Sequence, residues 1–436
     1  MNVTCPAGTF SGSSVNGVHE FKGIRYATSK RFCPPTPYDY PEGIHEMLED
    51  APYAIQHEAQ LETHLTGMDY MNYPQEENCQ YLSITAPDHD PQHGKLPVMV
   101  WVHGGSYRNG GCDAACYNRR YLALEGDVIV VGINFRIGLL GFLRNHDGNL
   151  SNNGLLDIIE ALKWIKRNIE SFGGDSDNIT LFGHSSGADA VRSVILSEGT
   201  ERLYSKAIIQ SDPIGAMNAD RDDMSRKMLE EAMQMPADAD VETIRGVQLS
   251  LRDHVTEESL AKHLIFGPHY GLYPLPKKED FNDHLREMAK DHPLMIGTTT
   301  REVSSYIYPN KTLTFLDKFP LTGWYIEKRI IATTEEVFGE PSREFAEQYA
   351  EAGGETFHYT YRWHEHQKPI GASHGSELTL LFSADYLPDD ADLLKGTNKQ
   401  EIHDTGKDLR KIWTTFARTG DPQSKGIDNV IDIRQM

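Results

Sequence analysis

Asn178-Ile179-Thr180-Leu181-Phe182-Gly183-His184-Ser185-Ser186-Gly187 carries an apolar, β-prone run into a tight turn, and residues 188–196 continue it without proline or glycine. The turn fits Gly-x-Ser-x-Gly, the strand-turn-helix elbow that lifts a serine hydroxyl above the end of a sheet. Such a turn crowds neighbouring backbone, so its flanking positions accept little beyond glycine. Upstream, Leu96-Pro-Val-Met-Val-Trp-Val102 closes on His103-Gly104-Gly105-Ser106. A glycine pair there lets the N–H groups of Gly104 and Gly105 point at one oxygen, together with the N–H of Ser186, the residue after the elbow serine. The two stretches imply acyl-transfer chemistry with Ser185 as nucleophile.

The chain has 436 residues, 39% of them hydrophobic and 24% charged, which is the composition of a globular protein. No stretch is rich enough in proline, glycine, serine or like charge to serve as a linker, so one domain spanning 1–436 is expected. Forty-two basic against 64 acidic residues give a formal charge of −22. That balance argues against nucleic acid or an anionic membrane as partner, since both need a basic face. The N-terminal stretch shows neither a basic n-region nor an apolar h-region, and the five cysteines are odd in number, so a cytoplasmic, disulfide-free protein is expected. Cys112 and Cys116 stand four apart with no second ligand pair, and read as free thiols in a glycine-rich loop.

Strand-like and helix-like runs alternate. Residues 20–26 and 82–85 read as early, partly antiparallel strands; 98–102, 128–135, 179–182 and 207–209 read as buried parallel ones. Between two of these, Leu155, Ile158, Ile159, Leu162, Ile165 and Ile169 fall at helical spacing, with Phe172-Gly173-Gly174 as the stop. Alternation of this kind implies a mostly parallel sheet with helices on both faces. From about 213 to 291 the pattern turns into polar, methionine-bearing helical stretches, which read as a helical insertion that either caps the site or lies on the surface.

A nucleophilic serine needs a base, and the base an orienting acid, in the chain order serine, acid, histidine. Pro293-Leu-Met-Ile-Gly297 reads as a short strand and Thr298-Thr-Thr-Arg-Glu302 as the loop beyond it, which makes Glu302 the candidate acid. Residues 356–363 read as the last strand, followed by His364, His366 and His374. His374 lies in the small-residue loop Gly371-Ala-Ser-His-Gly-Ser-Glu377 and is favoured on that ground; the other two sit in a charged stretch and read as solvated.

Taken together, His103 to Ser106, Asn134-Phe-Arg-Ile-Gly138, Asp157 with Ala161-Leu-Lys-Trp164, residues 168–175, the serine elbow, 297–302, 371–378 and Trp413-Thr-Thr-Phe-Ala-Arg-Thr-Gly-Asp-Pro422 resemble the type-B carboxylesterases. The resemblance implies an α/β-hydrolase fold, a triad of Ser185, Glu302 and His374, oxyanion donors Gly104, Gly105 and Ser186, a small-molecule ester substrate, and neither metal nor organic cofactor. Amide, thioester and lactone hydrolysis use the same triad and stay open. Departures from the family pattern are also visible. His184 stands where the family usually has glutamate, and Ser186 where alanine is common. Cys79 matches a cysteine that is disulfide-bonded in secreted members, but no partner stands near Ile55-Gln56. A tryptophan that binds choline in the cholinesterases has no counterpart between Tyr70 and Asn78, where only Tyr70 and Tyr73 offer aromatic rings. Neutral esters are therefore the expected substrates.

Overall fold

In the computed structural model, all seven residues of the strand Leu96–Val102 are buried. Leu96, Val98, Val100 and Val102 enter one apolar core, while Met99 and Trp101 enter a second on the opposite face. Burial on both faces is the reason the run is continuously apolar instead of alternating. The structure describes residues 1–58, 63, 69–217, 221–236, 238–252, 264–308, 310–367 and 370–436.

The principal sheet has 11 strands: β1 (Ser13–Val15), β2 (Val18–Arg25), β3 (Tyr81–Pro87), β4 (Leu96–Val102), β5 (Ile129–Ile133), β6 (Gly174–His184), β7 (Lys206–Gln210), β8 (Leu294–Thr299), β9 (Thr356–Tyr361), β10 (Gly426–Ile427) and β11 (Ile431–Gln435). Their spatial order is β10-β11-β9-β8-β7-β6-β4-β5-β3-β2-β1. From β5 to β9 every pairing is parallel, and the strands at both margins are antiparallel. Residues 356–363 are thus not the last strand. Strand β11 was hidden because it alternates: Ile431 and Ile433 are buried while Asp432 and Arg434 face solvent, the pattern of a sheet margin.

Around the sheet stand α1 (Arg120–Gly126), α2 (Asn153–Asn168), α3 (Ser186–Ile195), α4 (Pro320–Thr334) and α5 (Lys399–Thr419). Leu155, Ile158, Leu162 and Ile165 of α2 and Val191 and Val194 of α3 fill the first core. Leu122 of α1 and Leu409, Trp413 and Phe416 of α5 fill the second. Helix α2 runs on through a 3₁₀ turn, Ile169–Phe172, and stops where Gly173 turns left-handed at φ 89°. Its interior holds Asp157, which accepts from Arg136 through Nε at 2.8 Å, Nη2 at 2.7 Å and the backbone N–H at 3.0 Å. Both partners are buried, so the pair ties the segment after β5 to α2 with fixed geometry.

The stretch from 213 to 291 contains helices Arg221–Ala232, Val241–Arg252 and Phe281–Ala289. Met228, Ile244, Leu251, Leu285 and Met288 from these helices join the first core. The parts of that stretch at 218–220, 237 and 253–263 lie outside the described residues. Among the described residues, no helix is long and apolar enough to cross a membrane.

Replacing one member of a buried pair leaves the other charge without compensation. Asp157→Ala is therefore expected to lower unfolding free energy by about 3–5 kcal/mol, read as a fall in the urea midpoint at unchanged slope. A midpoint equal to wild type would show that Arg136 finds water or another acceptor.

Candidate active site

Strand register assembles the site. Gly183 pairs with Val102, so two residues further on Ser185 and Gly104 leave the sheet side by side. His184 pairs with Gln210, Gln210 with Gly297, and Gly297 with Tyr359, which brings the loops after β8 and β9 to the same edge. Ser185 sits at φ 58°, ψ −126°, a strained backbone typical of an elbow nucleophile, and its N–H donates to Gln210 O at 2.9 Å. Gly187 packs on the end of β4, where an added Cβ would fall against Val102 O and 2.6 Å from His103 O. A Cβ on Gly104 would lie 2.6 Å from His184 O. The elbow and the glycine loop thus approach at backbone distance.

The loop from Gly105 to Tyr107 has three successive positive φ values, 113°, 58° and 54°. Two contacts hold it to α3. The Tyr107 N–H donates to Ser186 Oγ at 3.2 Å, and the Tyr107 hydroxyl donates to Asp189 Oδ2 at 2.7 Å. Asp189 also receives Arg192 Nη2 at 2.5 Å, and Arg192 Nε donates to Asp212 at 2.7 Å. The Ser186 hydroxyl thus serves as an acceptor for the loop.

Glu302 is fully buried in the loop after β8. Its Oε1 accepts the Thr299 N–H at 2.7 Å, and its Oε2 lies 2.5 Å from His374 Nδ1. The His374 N–H donates to Glu302 O at 3.2 Å, a second link between the two loops. His374 Nε2 is buried and has no hydrogen-bond partner among the described residues. The rings of Phe338 and Tyr306 flank it at 5.3 and 5.7 Å between centroids. Of the other two histidines, His366 projects into solvent and His364 does not: Trp363 packs edge-on at 4.1 Å and Glu401 Oε1 lies 3.3 Å from its Nε2. His364 is thus half-buried, contrary to the solvated reading of its charged neighbourhood, although its Nε2 accepts or donates no hydrogen bond among the described residues.

His184 and Glu377 had no role in the sequence reading, and both border the site. The His184 ring lies 4.4 Å from that of His374, and its Nε2 is 3.7 Å from Glu377 Oε1. That distance is too long for a hydrogen bond. Burial, with His374 alongside, holds His184 well below the usual imidazole range. Burial, reinforced by Glu302, pushes the Glu377 carboxyl up to about 8. Both groups are thus neutral near pH 7.

Ser185 opens on two clefts. The larger encloses about 770 Å³ and is lined by Gly104, Gly105, His184 and His374, with Tyr70, Tyr117, Tyr386, Leu378, Leu393 and Cys116 as walls. The smaller, of about 290 Å³, is walled by Pro213, Ala216, Leu264, Val337 and Phe338. Ser106, Ser185 and Tyr306 line both. No Asp, Glu, Lys or Arg is among these residues. Tyr70 faces the cleft, whereas Tyr73 stacks on Tyr53 at 4.5 Å. None of the five cysteines forms a disulfide, and Cys116 faces the site.

A serine elbow, a glycine loop at its side and a carboxylate-bound histidine on later loops of a parallel sheet define the serine hydrolases of the α/β-hydrolase fold. Solved structures agree: a thermophilic p-nitrobenzyl esterase superposes with a TM-score of 0.81 at 28% identity, covering 100% of this chain and 97% of that one. The pattern of the carboxylesterase family matches residues 1–318 and 325–432, and the chain belongs to that family. It is accordingly a carboxylic ester hydrolase. Among similar proteins, a probable N-octanoylanthranilate hydrolase of Rhodococcus erythropolis is 32% identical over 96% of this chain and 93% of its own length. The para-nitrobenzyl esterase of Bacillus subtilis (strain 168) is 32% identical over 98% and 91%.

An unfolded glutamate titrates near pH ~4.3, whereas folded Glu377 titrates at about 8. Between those values the folded chain holds the extra proton, so this group's contribution to stability falls as pH rises. Glu377→Gln cannot ionise. Its melting temperature relative to wild type is expected to climb from about pH 5 to about pH 8; a difference independent of pH would show that Glu377 ionises alike in both states.

Proposed function

We propose that the chain hydrolyses neutral carboxylic esters through a Ser185–His374–Glu302 triad. The observation that carries this reading is the His374 Nδ1 contact with buried Glu302 at 2.5 Å, which leaves Nε2 on the cleft side where Ser185 stands. Ser185 Oγ attacks the ester carbonyl while His374 Nε2 takes its proton. The tetrahedral oxygen is received by the N–H groups of Gly104, Gly105 and Ser186, with the Ser106 N–H adjacent in the same loop. His374 then protonates the leaving alcohol, and a water activated by the same nitrogen cleaves the acyl-enzyme. Glu302 fixes the imidazole tautomer and stabilises the imidazolium. We read 1–436 as one domain in which the insertion contributes Pro213, Ala216 and Leu264 to the wall of the small cleft.

One relative is named for cleaving an N-acyl bond. That favours a second reading, amide hydrolysis by the same triad, which an N-acylanthranilate tested beside the matching aryl ester separates from the first.

Ser185→Ala is expected to lose on the order of 10⁶-fold in kcat together with labelling by a fluorophosphonate. His374→Ala should match it, and the double variant should be no worse, because the two residues act as one unit. His364→Ala should stay close to wild type in turnover. Fluorophosphonate labelling of Ser185→Ala at the wild-type rate, or a loss in His364→Ala without one in His374→Ala, overturns the assignment.

Among the described residues, the lining of both clefts carries no carboxylate, lysine or arginine, so a quaternary ammonium group gains no ion pair from them and meets aromatic faces that are mostly tyrosine. The overall charge of −22 raises encounter with cations but is screened at physiological salt. An acylcholine is expected to show lower kcat/KM than an alkyl ester of matched length at that ionic strength. A choline preference of about tenfold would instead mean that the tyrosines form a cation cage.

A further inference from the structure

Helix α4 is apolar on two opposite faces and buries one of them. Gly323, Ile326, Ile330 and Thr334 point inward. There Ile326 and Ile330 pack with Val303, Tyr308, Val337 and Phe338, the last two being walls of the small cleft. On the outer side Leu321, Trp324, Tyr325, Lys328 and Ile331 share one face: 324 and 325 stand three and four after 321, 328 stands four and three after them, and 331 three further on. Leu321 is 84% exposed, Trp324 64% and Tyr325 60%. Phe315 and Phe319, edge to face at 5.3 Å and both exposed, extend the patch into the preceding turn. A surface helix ordinarily carries a single apolar stripe, and a contiguous exposed patch of this kind marks an interaction site.

The family pattern stops at residue 318 and resumes at 325. Phe319, Leu321 and Trp324 lie within that gap, while Phe315, Tyr325 and Ile331 lie in the matched stretches on either side.

Charge selects the occupant. Although the chain as a whole carries −22, Lys311, Lys318, Lys328 and Arg329 are all exposed around the patch and form no ion pair among the described residues. The two acids of the same segment are engaged: Asp317 accepts from the Tyr308 hydroxyl at 3.2 Å, and Glu327 is paired with buried Arg301. Lys328 Nζ stands 5.5 Å from the Trp324 ring, keeping its charge over the aromatic stripe. A symmetric dimer through this face would set each cluster of cations against its own copy, which is unfavourable. An anionic lipid surface accommodates both components, taking rings and methyl groups at the acyl boundary and cations at the headgroups. We propose that α4 and the turn before it dock this protein on an anionic lipid surface. The expectation of no membrane partner rests on net charge, which averages over the whole surface; the proposal concerns this patch alone.

The full chain is mixed with vesicles of phosphatidylglycerol or of phosphatidylcholine and sedimented, with tryptophan emission recorded in parallel. Wild type is expected to bind phosphatidylglycerol vesicles with a blue shift from Trp324, to bind phosphatidylcholine roughly tenfold more weakly, and to be released by high salt. Leu321→Glu with Trp324→Glu should abolish binding while turnover of a soluble ester stays at the wild-type value. Lys318→Glu with Lys328→Glu, which leaves the apolar stripe intact, should weaken binding by roughly tenfold. Three results overturn the proposal: no binding of wild type, binding that survives both double variants, or a wild-type dimer in sedimentation that Leu321→Glu with Trp324→Glu converts to monomer, which would make the occupant a second copy.

Discussion

The backbone contact between the serine elbow and the end of β4 is the constraint from which the site follows. With Gly187 against the carbonyls of Val102 and His103, and Gly104 against the carbonyl of His184, no side chain fits between the two turns. Closeness of that order requires the two strands to be parallel neighbours in one register, which the pairing of Gly183 with Val102 provides. Fixing β6 against β4 also fixes β7, β8 and β9 by successive parallel pairing. Glu302 and His374 then emerge at the same edge of the sheet as Ser185. The juxtaposition of Ser185, His374 and Glu302 is thus a consequence of register, and a one-residue slip in any central strand would turn its side chains to the wrong face.

How much of this was legible in the sequence depends on how local the governing physics is. Turn chemistry is local, so the elbow, the glycine loop and the glycine stop at Gly173 could be read directly. Continuous apolar runs are local too, and the central strands were found within a few residues of their ends. Strand β11 was not found, because two buried isoleucines alternating with charge carry little signal without knowledge of the neighbouring strand. His374 stood out through its small-residue loop, and the family pattern pointed the same way. The partial burial of His364 was missed because Glu401, which lies against it, is on α5, far along the chain. The acceptor role of Ser186 Oγ toward Tyr107 was invisible for the same reason: it needs two distant turns brought together before the hydroxyl has anything to accept.

The electrostatics around His374 show what the substitution at 184 changes. Glu302 faces Nδ1, and Glu377 stands behind as a second buried carboxyl. A glutamate at 184, the residue that the resemblance leads one to expect, would add a third acidic group beside His374. Desolvation acts against charging all of them at once, and coupled titration would follow. With histidine at 184 the ring is held neutral by burial, and the raised Glu377 carboxyl keeps its proton. His374 therefore meets a surrounding in which the Glu302 contact is the short one and the others are neutral. The orienting interaction is thus left to a single acid.

The walls of the clefts follow a different rule from the triad. Tyr70, the adjacent pair Cys116 and Tyr117, Leu264, Phe338 and Tyr386 come from five separate segments of the chain, and no spacing in the sequence relates those segments. A nucleophile must satisfy backbone geometry that only a few residue types accept, so its position leaves a motif. A wall residue has only to fill space, and many residue types do so equally well. Chemistry is consequently written in short, constrained stretches, whereas the shape that selects a substrate is distributed over loops whose lengths and packing are set by the whole fold. For the same reason the two clefts could not be assigned from family likeness alone: the scaffold transfers through register, but the loops standing on it carry this chain's own geometry.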